Sequence, residues 1–131
     1  MQIILKASGR DVVLHIDVRY DYRYHWGGRI GVEKNYLVLN TFKDGRWGQE
    51  AHPSGFKFTP GLTTTVTVEA QPGCFLIKSN GQEVTCFIYR SGLAVNTVRE
   101  IVVKFVDNAG DAQTPKATIK GRVRSLTINL G

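Results

Sequence analysis

Three polar side chains stand at alternate positions of one short segment: His15, Asp17 and Arg19. The residues between and before them, Leu14, Ile16 and Val18, are apolar, which is typical of a β-strand with one buried face. Alternate residues of a strand project from the same surface, so an imidazole, a carboxylate and a guanidinium would share one face. A slip of one residue would bury all three, so this pattern specifies the register.

Further candidate ligands follow in the next predicted strands: Asn40, Trp47, Glu50 and His52. If these strands are neighbours, one sheet face carries a set of groups that suits a sugar. An indole can stack on the C–H patch of a sugar ring. Guanidinium, carboxylate, amide and imidazole groups supply donors and acceptors for its hydroxyl groups. Arg19 held between Asp17 and Glu50 would be restricted in its rotamers, which preorganises such a site.

The elements that must position these side chains are predicted to be strands, because no long segment keeps a helical period. Strand patterns cover residues 2–7, 12–20, 36–42, 63–70, 74–79, 82–89, 99–106 and 116–130. Asp44-Gly45, with Arg46 to His52 returning, and Asn80-Gly81 are typical hairpin turns. Many short strands with frequent turns predict an all-β antiparallel sandwich or barrel. The core candidates of the last segment are Val123, Leu126, Ile128 and Leu130.

Two segments depart from the strand patterns. Residues 21–35 are rich in Tyr, Arg and Gly and contain His25 and Trp26, so we expect a functional loop there. Trp26 could pack within that loop or serve as a ligand platform, and the alternating tyrosines at 20, 22 and 24 favour cross-strand packing. Residues 107–116 are polar and are expected to be irregular.

Length and composition indicate one globular domain. The chain has 131 residues, of which 42% are hydrophobic and 21% charged. No apolar run approaches the roughly 20 residues that span a bilayer, and Met1–Lys6 is too short and too interrupted for a signal peptide. The net charge of +6 comes from scattered basic residues, which favours a basic surface over a nucleic-acid site.

The two cysteines, Cys74 and Cys86, flank the Asn80-Gly81 turn and could face each other across a hairpin. Two cysteines do not make a disulfide framework. We therefore expect free thiols, with a disulfide as the alternative. No metal-ligand spacing surrounds either cysteine.

Taken together, these motifs resemble those of galectins. The run Leu14–Tyr20 is similar to their His-x-Asn-x-Arg strand, Asn40 stands seven residues before Trp47 as in that family, and Trp47–Glu50 resembles their Trp-Gly-x-Glu motif. Downstream, Gly55–Phe58 with Pro60-Gly61, and Phe87-x-x-Arg90, follow the same pattern. The resemblance covers roughly residues 3–98, with the motifs in the family's order.

The resemblance implies a two-sheet, jelly-roll β-sandwich, with residues 1–131 forming one carbohydrate-recognition domain. It implies binding of β-galactosides of the lactose or N-acetyllactosamine type on glycoproteins or glycolipids. Neither cofactor, metal nor catalysis is implied. The location would be cytoplasmic, secreted without a signal peptide, or both, and the resemblance allows a homo-oligomer. By position, His15 and Arg19 would bond galactose O4, and Asn40 and Glu50 its O6 and the neighbouring sugar, while Trp47 would stack under the ring.

The chain also departs from the family pattern. Asp17 replaces an asparagine and His52 an arginine, so the galactoside specificity is expected to shift. The segment 20–39 is longer than usual, and the two strands that usually precede residue 2 are missing. We hypothesise that residues 99–130 cover the sheet edge left open.

Three other interpretations compete with a lectin. Asp17 and Glu50 could be a glycosidase pair, although Arg19 between them stabilises negative charge on both. His15, Asp17 and His52 could bind a metal. The third alternative is a lectin-fold module for a non-sugar partner that uses the net positive charge.

Overall fold

A computed structural model describes residues 2–25, 28–56, 64–106, 112–113, 117–120 and 125–130, with side chains described at 2–19, 36–56 and 64–104. Within these ranges the only helical element is one 3₁₀ turn at Val95–Thr97. The strands are β1 (Gln2–Lys6), β2 (Val12–His25), β3 (Gly28–Lys43), β4 (Arg46–Trp47), β5 (Thr64–Ala70), β6 (Cys74–Ser79), β7 (Gln82–Ile88), β8 (Glu100–Val106), β9 (Ala112–Gln113), β10 (Ala117–Lys120) and β11 (Ser125–Leu130).

The strands form two antiparallel sheets, which confirms the predicted two-sheet sandwich. One sheet has the order β4-β3-β2-β1-β8-β9, and the other β10-β11-β5-β6-β7. A single apolar core joins them, with buried side chains from both sheets that include Ile3, Ile16, Leu39, Val66, Phe75 and Ile77. No helix in the described part of the chain is long and apolar enough to cross a membrane.

The register of the first sheet follows from the apolar alternation of β2. Leu14 and Ile16 are fully buried, and each such side chain stabilises the fold by roughly 1.5–3 kcal/mol. The intervening His15 then projects from the opposite face, where it pairs across the sheet with Asn40 of β3 and Ile4 of β1. The predicted polar face is therefore the outer face of this sheet.

Both predicted hairpin turns are present. Asp44 and Gly45 have φ values of 54° and 78°, and Asn80 and Gly81 have 50° and 80°, as tight hairpins with two left-handed residues require. After the first turn the return strand β4 is only two residues long. A bridge between Leu39 and Ala51 then reattaches the chain, which leaves Gly48–Glu50 as a non-strand turn over the sheet.

The prediction of a loop at residues 21–35 is wrong for residues 21–25 and 28–35, because β2 and β3 stay paired there as far as His25 and Gly28. The pairing register shifts between Asp21 and Tyr22 and again between Arg23 and Tyr24. Such bulges interrupt the two-residue alternation by which a strand is recognised from sequence. The roles predicted for Trp26 and for the alternating tyrosines fall outside the described side chains.

The C-terminal third completes both sheets, as hypothesised. Strand β8 pairs with the edge of β1 from Gln2↔Lys104 to Lys6↔Glu100, and β11 pairs with β5 in the other sheet. The prediction of irregular structure at 107–116 is wrong for β9, which pairs with β8. The core positions predicted in residues 116–130 fall outside the described side chains.

The prediction of free thiols is also wrong: Cys74 and Cys86 form a disulfide with a Cα–Cα separation of 5.6 Å. In the β6–β7 pairing, Cys74 lies opposite Ile88 and Leu76 lies opposite Cys86. The two cysteines are therefore diagonal neighbours on the outer face of the sheet, within disulfide reach. A low cysteine count carries no information about this pairing, which depends on the hairpin register.

We expect replacement of Cys74 and Cys86 by serine to lower the free energy of unfolding by about 2–3 kcal/mol, because the bond closes a short loop in the unfolded chain. Urea denaturation with and without a reductant measures this. The reductant should destabilise the wild-type chain and leave the double variant unchanged. Equal stability of the two oxidised proteins would contradict the prediction.

Candidate functional site

A groove of about 720 Å³ runs across the outer face of the six-stranded sheet. Strands β1, β2, β3 and β8 form its floor, and the turn after β4 forms one end. Six of the seven predicted site residues line it: His15, Asp17, Arg19, Asn40, Trp47 and Glu50. Segments far apart in the chain are thus brought to one surface by the sheet order.

Arg19 lies between two carboxylates, as the strand pattern predicted. Its Nε donates to Asp17 Oδ2 at 2.9 Å, and its Nη2 lies 3.8 Å from Glu50 Oε1. The hydrogen bond to Asp17 is the main cause that raises the pKa of Arg19 above its usual value. Such an exposed pair adds little stability. Its effect is to orient the guanidinium while leaving donors free for a ligand.

Trp47 offers an open aromatic surface, since 54% of the residue is exposed. Its ring makes edge contacts with His15, at 5.1 Å between centroids and 73° between planes, and with Phe42, at 5.2 Å and 66°. These contacts hold the indole upright against the sheet. Trp47 is therefore not part of the apolar core.

His15 is a neutral donor and acceptor at neutral pH. Burial is the main cause that lowers its pKa below the usual value; Asp17 opposes the shift, and Arg19 and Lys104 add to it. A neutral imidazole has one N–H and one lone pair. It can therefore accept a hydrogen bond from a hydroxyl group as well as donate one.

Asn40 is 5% exposed, and most of its polar capacity is used within the protein. Its Nδ2 donates to the Gly48 carbonyl at 2.9 Å, and its Oδ1 accepts from the Thr41 N–H at 2.8 Å and from Arg90 Nη1 at 2.9 Å. One amide hydrogen remains for a ligand. Asn40 therefore holds the turn after β4 in place, a task that the strand pattern did not predict.

Arg90 is the positioning residue that the sequence analysis did not include in the site. Its Nη1 donates to Asn40 Oδ1 and to Thr41 Oγ1, at 2.9 and 3.0 Å, and its Nη2 donates to the Gln49 carbonyl. The guanidinium also lies over the Phe87 ring at 4.9 Å. Arg90 thus ties the turn that follows Trp47 to β3. In the sequence, only the Phe87-x-x-Arg90 motif of the family resemblance pointed to this residue.

His52 lies beside the groove rather than in its lining. Its Nε2 is 2.9 Å from Glu50 Oε2, and its ring is stacked on Tyr36 at 6.1 Å between centroids and 17° between planes. Among the described residues, no group of three His, Cys, Asp or Glu side chains could hold a metal ion. The proposed metal set of His15, Asp17 and His52 is therefore not brought together.

Gly48→Ala should destabilise the fold by about 1–3 kcal/mol, the usual range for overpacking. A Cβ there would lie 2.5 Å from Arg90 Nη1 and 3.0 Å from Thr41 Oγ1, whereas Gly73→Ala is a matched control with open space around it. Thermal unfolding measures the cost, and Trp fluorescence reports displacement of the turn. Equal melting temperatures for the two variants would show that the turn is not clamped.

Comparisons with known proteins identify the family of the chain. Residues 1–108 match the sequence model of the galactoside-binding lectin family. A galactose-binding lectin of Chondrilla caribensis is 36% identical, over 79% of this chain and 77% of that protein. Galectin b of Aplysina lactuca is 34% identical, over 86% and 74%.

Among solved structures, a tetrameric galectin from the ball sponge Cinachyrella sp. matches with a TM-score of 0.57 and 38% identity, over 71% of this chain. This chain spans 62% of that galectin's length. The family match covers most of the chain, and it agrees with the two-sheet fold and with relatives above 30% identity. The chain therefore belongs to the galactoside-binding lectins, the galectins.

Proposed function

We propose that the chain binds β-galactosides in the groove and releases them unchanged. The observation that carries this proposal is the open face of Trp47 next to the oriented guanidinium of Arg19. The aromatic platform suits the C–H face of a pyranose ring, and the fixed donors beside it suit the ring's hydroxyl groups. The names of the relatives, a galactose-binding lectin and a galectin, support the same ligand class.

In the proposed complex the galactose ring stacks on Trp47, and its axial O4 meets His15 and Arg19. Glu50 and the free amide hydrogen of Asn40 serve O6 and the neighbouring sugar at the β4 end. Asp17 acts by holding Arg19 Nε at 2.9 Å and by accepting from a hydroxyl group. Because a carboxylate cannot donate as an asparagine amide does, O4 loses one donor, which shifts specificity.

The carboxylates are arranged for binding rather than for hydrolysis. Glycosidases need one carboxylic acid that delivers a proton to the leaving oxygen. Here Asp17 and Glu50 both lie beside the Arg19 guanidinium, at 2.9 and 3.8 Å, and serve as its ion-pair partners. Incubation with galactosides should therefore release no monosaccharide.

We place the proposed partners, glycoproteins or glycolipids, outside the reducing cytoplasm. The disulfide between Cys74 and Cys86 supports this location, because such bonds persist in oxidising compartments. A lectin that cross-links glycans needs at least two sites. The tetrameric state of the Cinachyrella galectin supports a homo-oligomer for this chain as well.

Trp47→Ala should weaken lactose binding by at least about 10-fold, or about 1.4 kcal/mol, because the stacking surface is lost. Isothermal titration calorimetry measures the affinity. The melting temperature should change little, since the indole is half exposed. Trp47→Phe is the matched control and should retain part of the affinity. Unchanged lactose binding by the alanine variant would rule out the stacking role.

Lactose affinity should be constant above about pH 6.5, the usual histidine pKa, and fall as the pH drops below it. Protonation removes the acceptor nitrogen of His15 and adds a charge beside Arg19. Burial lowers the pKa of His15 in the folded chain, so the unfolded chain binds more protons in this pH window. The free energy of unfolding should therefore also decrease as the pH drops.

The pH profile of lactose binding should flatten in His15→Gln and persist in His52→Gln, the matched control. Calorimetric titrations at several pH values between about 5.5 and 8, a range centred on the histidine pKa, give the profile. If the acid limb followed His52 instead, the assignment to His15 would be wrong.

A further inference from the structure

The disulfide lies in the five-stranded sheet, opposite the groove, near the end of strand β7 that leads to Arg90. In the described part of the chain β7 is the edge of this sheet and pairs with β6. The last residue pair of that ladder is Cys74↔Ile88, two residues before Arg90. Strand ends open at the lowest free energy in a fold. The bond from Cys74 to Cys86 therefore holds the part of β7 that opens most easily.

Tyr89, which joins β7 to Arg90, is tied to the segment that leads into Cys74. Its N–H donates to the Gly73 carbonyl at 3.3 Å, and its hydroxyl donates to the Gln71 carbonyl at 2.6 Å. The N–H of Gln71 donates in turn to the Cys74 carbonyl at 2.8 Å. The position of Tyr89 therefore depends on the register between β6 and β7, which the disulfide holds.

A second set of contacts continues from β7 to the turn after β4. Phe87 follows Cys86 directly and is buried, and the Arg90 guanidinium lies over its ring at 4.9 Å. From there Arg90 donates to Asn40 Oδ1 and to the Gln49 carbonyl. Packed side chains and hydrogen bonds thus join the disulfide of one sheet to the groove of the other.

We propose that the disulfide between Cys74 and Cys86 is a positioning element of the sugar site, so that its reduction weakens galactoside binding. This inference rests on the proposed galactoside function. Through Arg90 the bond fixes the turn Gly48–Glu50, whose last side chain serves the ligand. The chain thus binds galactosides most tightly in oxidising compartments, where such a bond persists.

A dithiol reductant supplies the two electrons that break the bond. Cys86 is exposed, whereas Cys74 is buried, so a thiolate of the reductant attacks Cys86 Sγ. The S–S bond breaks, and Cys74 Sγ leaves as a thiolate that takes up a proton. The second thiolate of the reductant then displaces Cys86 Sγ, which is also protonated, and the reductant becomes a cyclic disulfide.

Calorimetry with lactose on the oxidised and the dithiol-reduced protein tests the proposal. We expect reduction to weaken binding by about 3- to 10-fold, the low end of couplings between separate sites. The double variant Cys74→Ser, Cys86→Ser should bind like the reduced protein and should not respond to the reductant. On reduction the amide NMR signal of Gly48 should move, while the signals of β1 stay in place.

Two further variants separate positioning of the site from a general loss of stability. Arg90→Gln lacks the clamp, so its lactose binding should be weak from the start and reduction should not weaken it further. Val68→Ala is the matched destabilised control, because it removes buried methyl groups from β5, a strand that does not pair with β7. Its lactose affinity, measured well below the melting temperature, should equal that of the wild-type chain.

Unchanged lactose affinity after reduction would overturn the proposal. An equal loss on reduction in Arg90→Gln would also overturn it, as would a loss of the same size in Val68→Ala. In these cases lactose binding by the oxidised chain leaves the galactoside function intact. If the oxidised chain bound no lactose, the proposed function itself would be refuted. The Gly48 signal would then decide the coupling: movement on reduction supports it, and an unmoved signal overturns it.

Discussion

Burial of alternate apolar residues between the two sheets determines where every side chain of the groove points. Ile3, Leu14, Ile16, Leu37 and Leu39 are fully buried, so the residues between them must face outward. The core therefore determines the positions of the groove side chains, because a strand in a close-packed interior cannot slip without exposing all of its apolar residues. Binding groups on a strand face are in this way more rigidly held than groups on a loop.

The turn after β4 keeps one backbone hydrogen bond to β3, from the Gly48 N–H to the Thr41 carbonyl at 2.9 Å, and the protein secures the rest of it with side chains. Arg90 donates to Asn40, Thr41 and the Gln49 carbonyl, and Asn40 donates to the Gly48 carbonyl. These contacts replace the strand pairing that ends at Trp47. The turn can therefore hold the Glu50 carboxylate beside the Trp47 indole without the freedom of an open loop.

Charge within the groove is distributed according to the same sheet order. Asp17, Arg19 and Glu50 form one partly neutralised group on β2 and the β4 turn. Lys6 and Lys104 stand on β1 and β8, two strands that the C-terminal third brings side by side. A segment that closes the sheet edge thus also supplies part of the groove lining, Val102 and Lys104.

The sequence by itself determined the local features: the alternation of His15, Asp17 and Arg19, the two left-handed hairpin turns, and the order of motifs that indicates a galectin. These depend on interactions between residues close in the chain. Only the tertiary structure decided the features that depend on pairing between distant segments. They are the Cys74–Cys86 bond, the β2–β3 pairing of residues 21–25 with 28–35, the clamp of Arg90 on Asn40, and the place of Lys104 beside the groove. Period and turn type are local properties, whereas register and strand order arise when separate segments share one core.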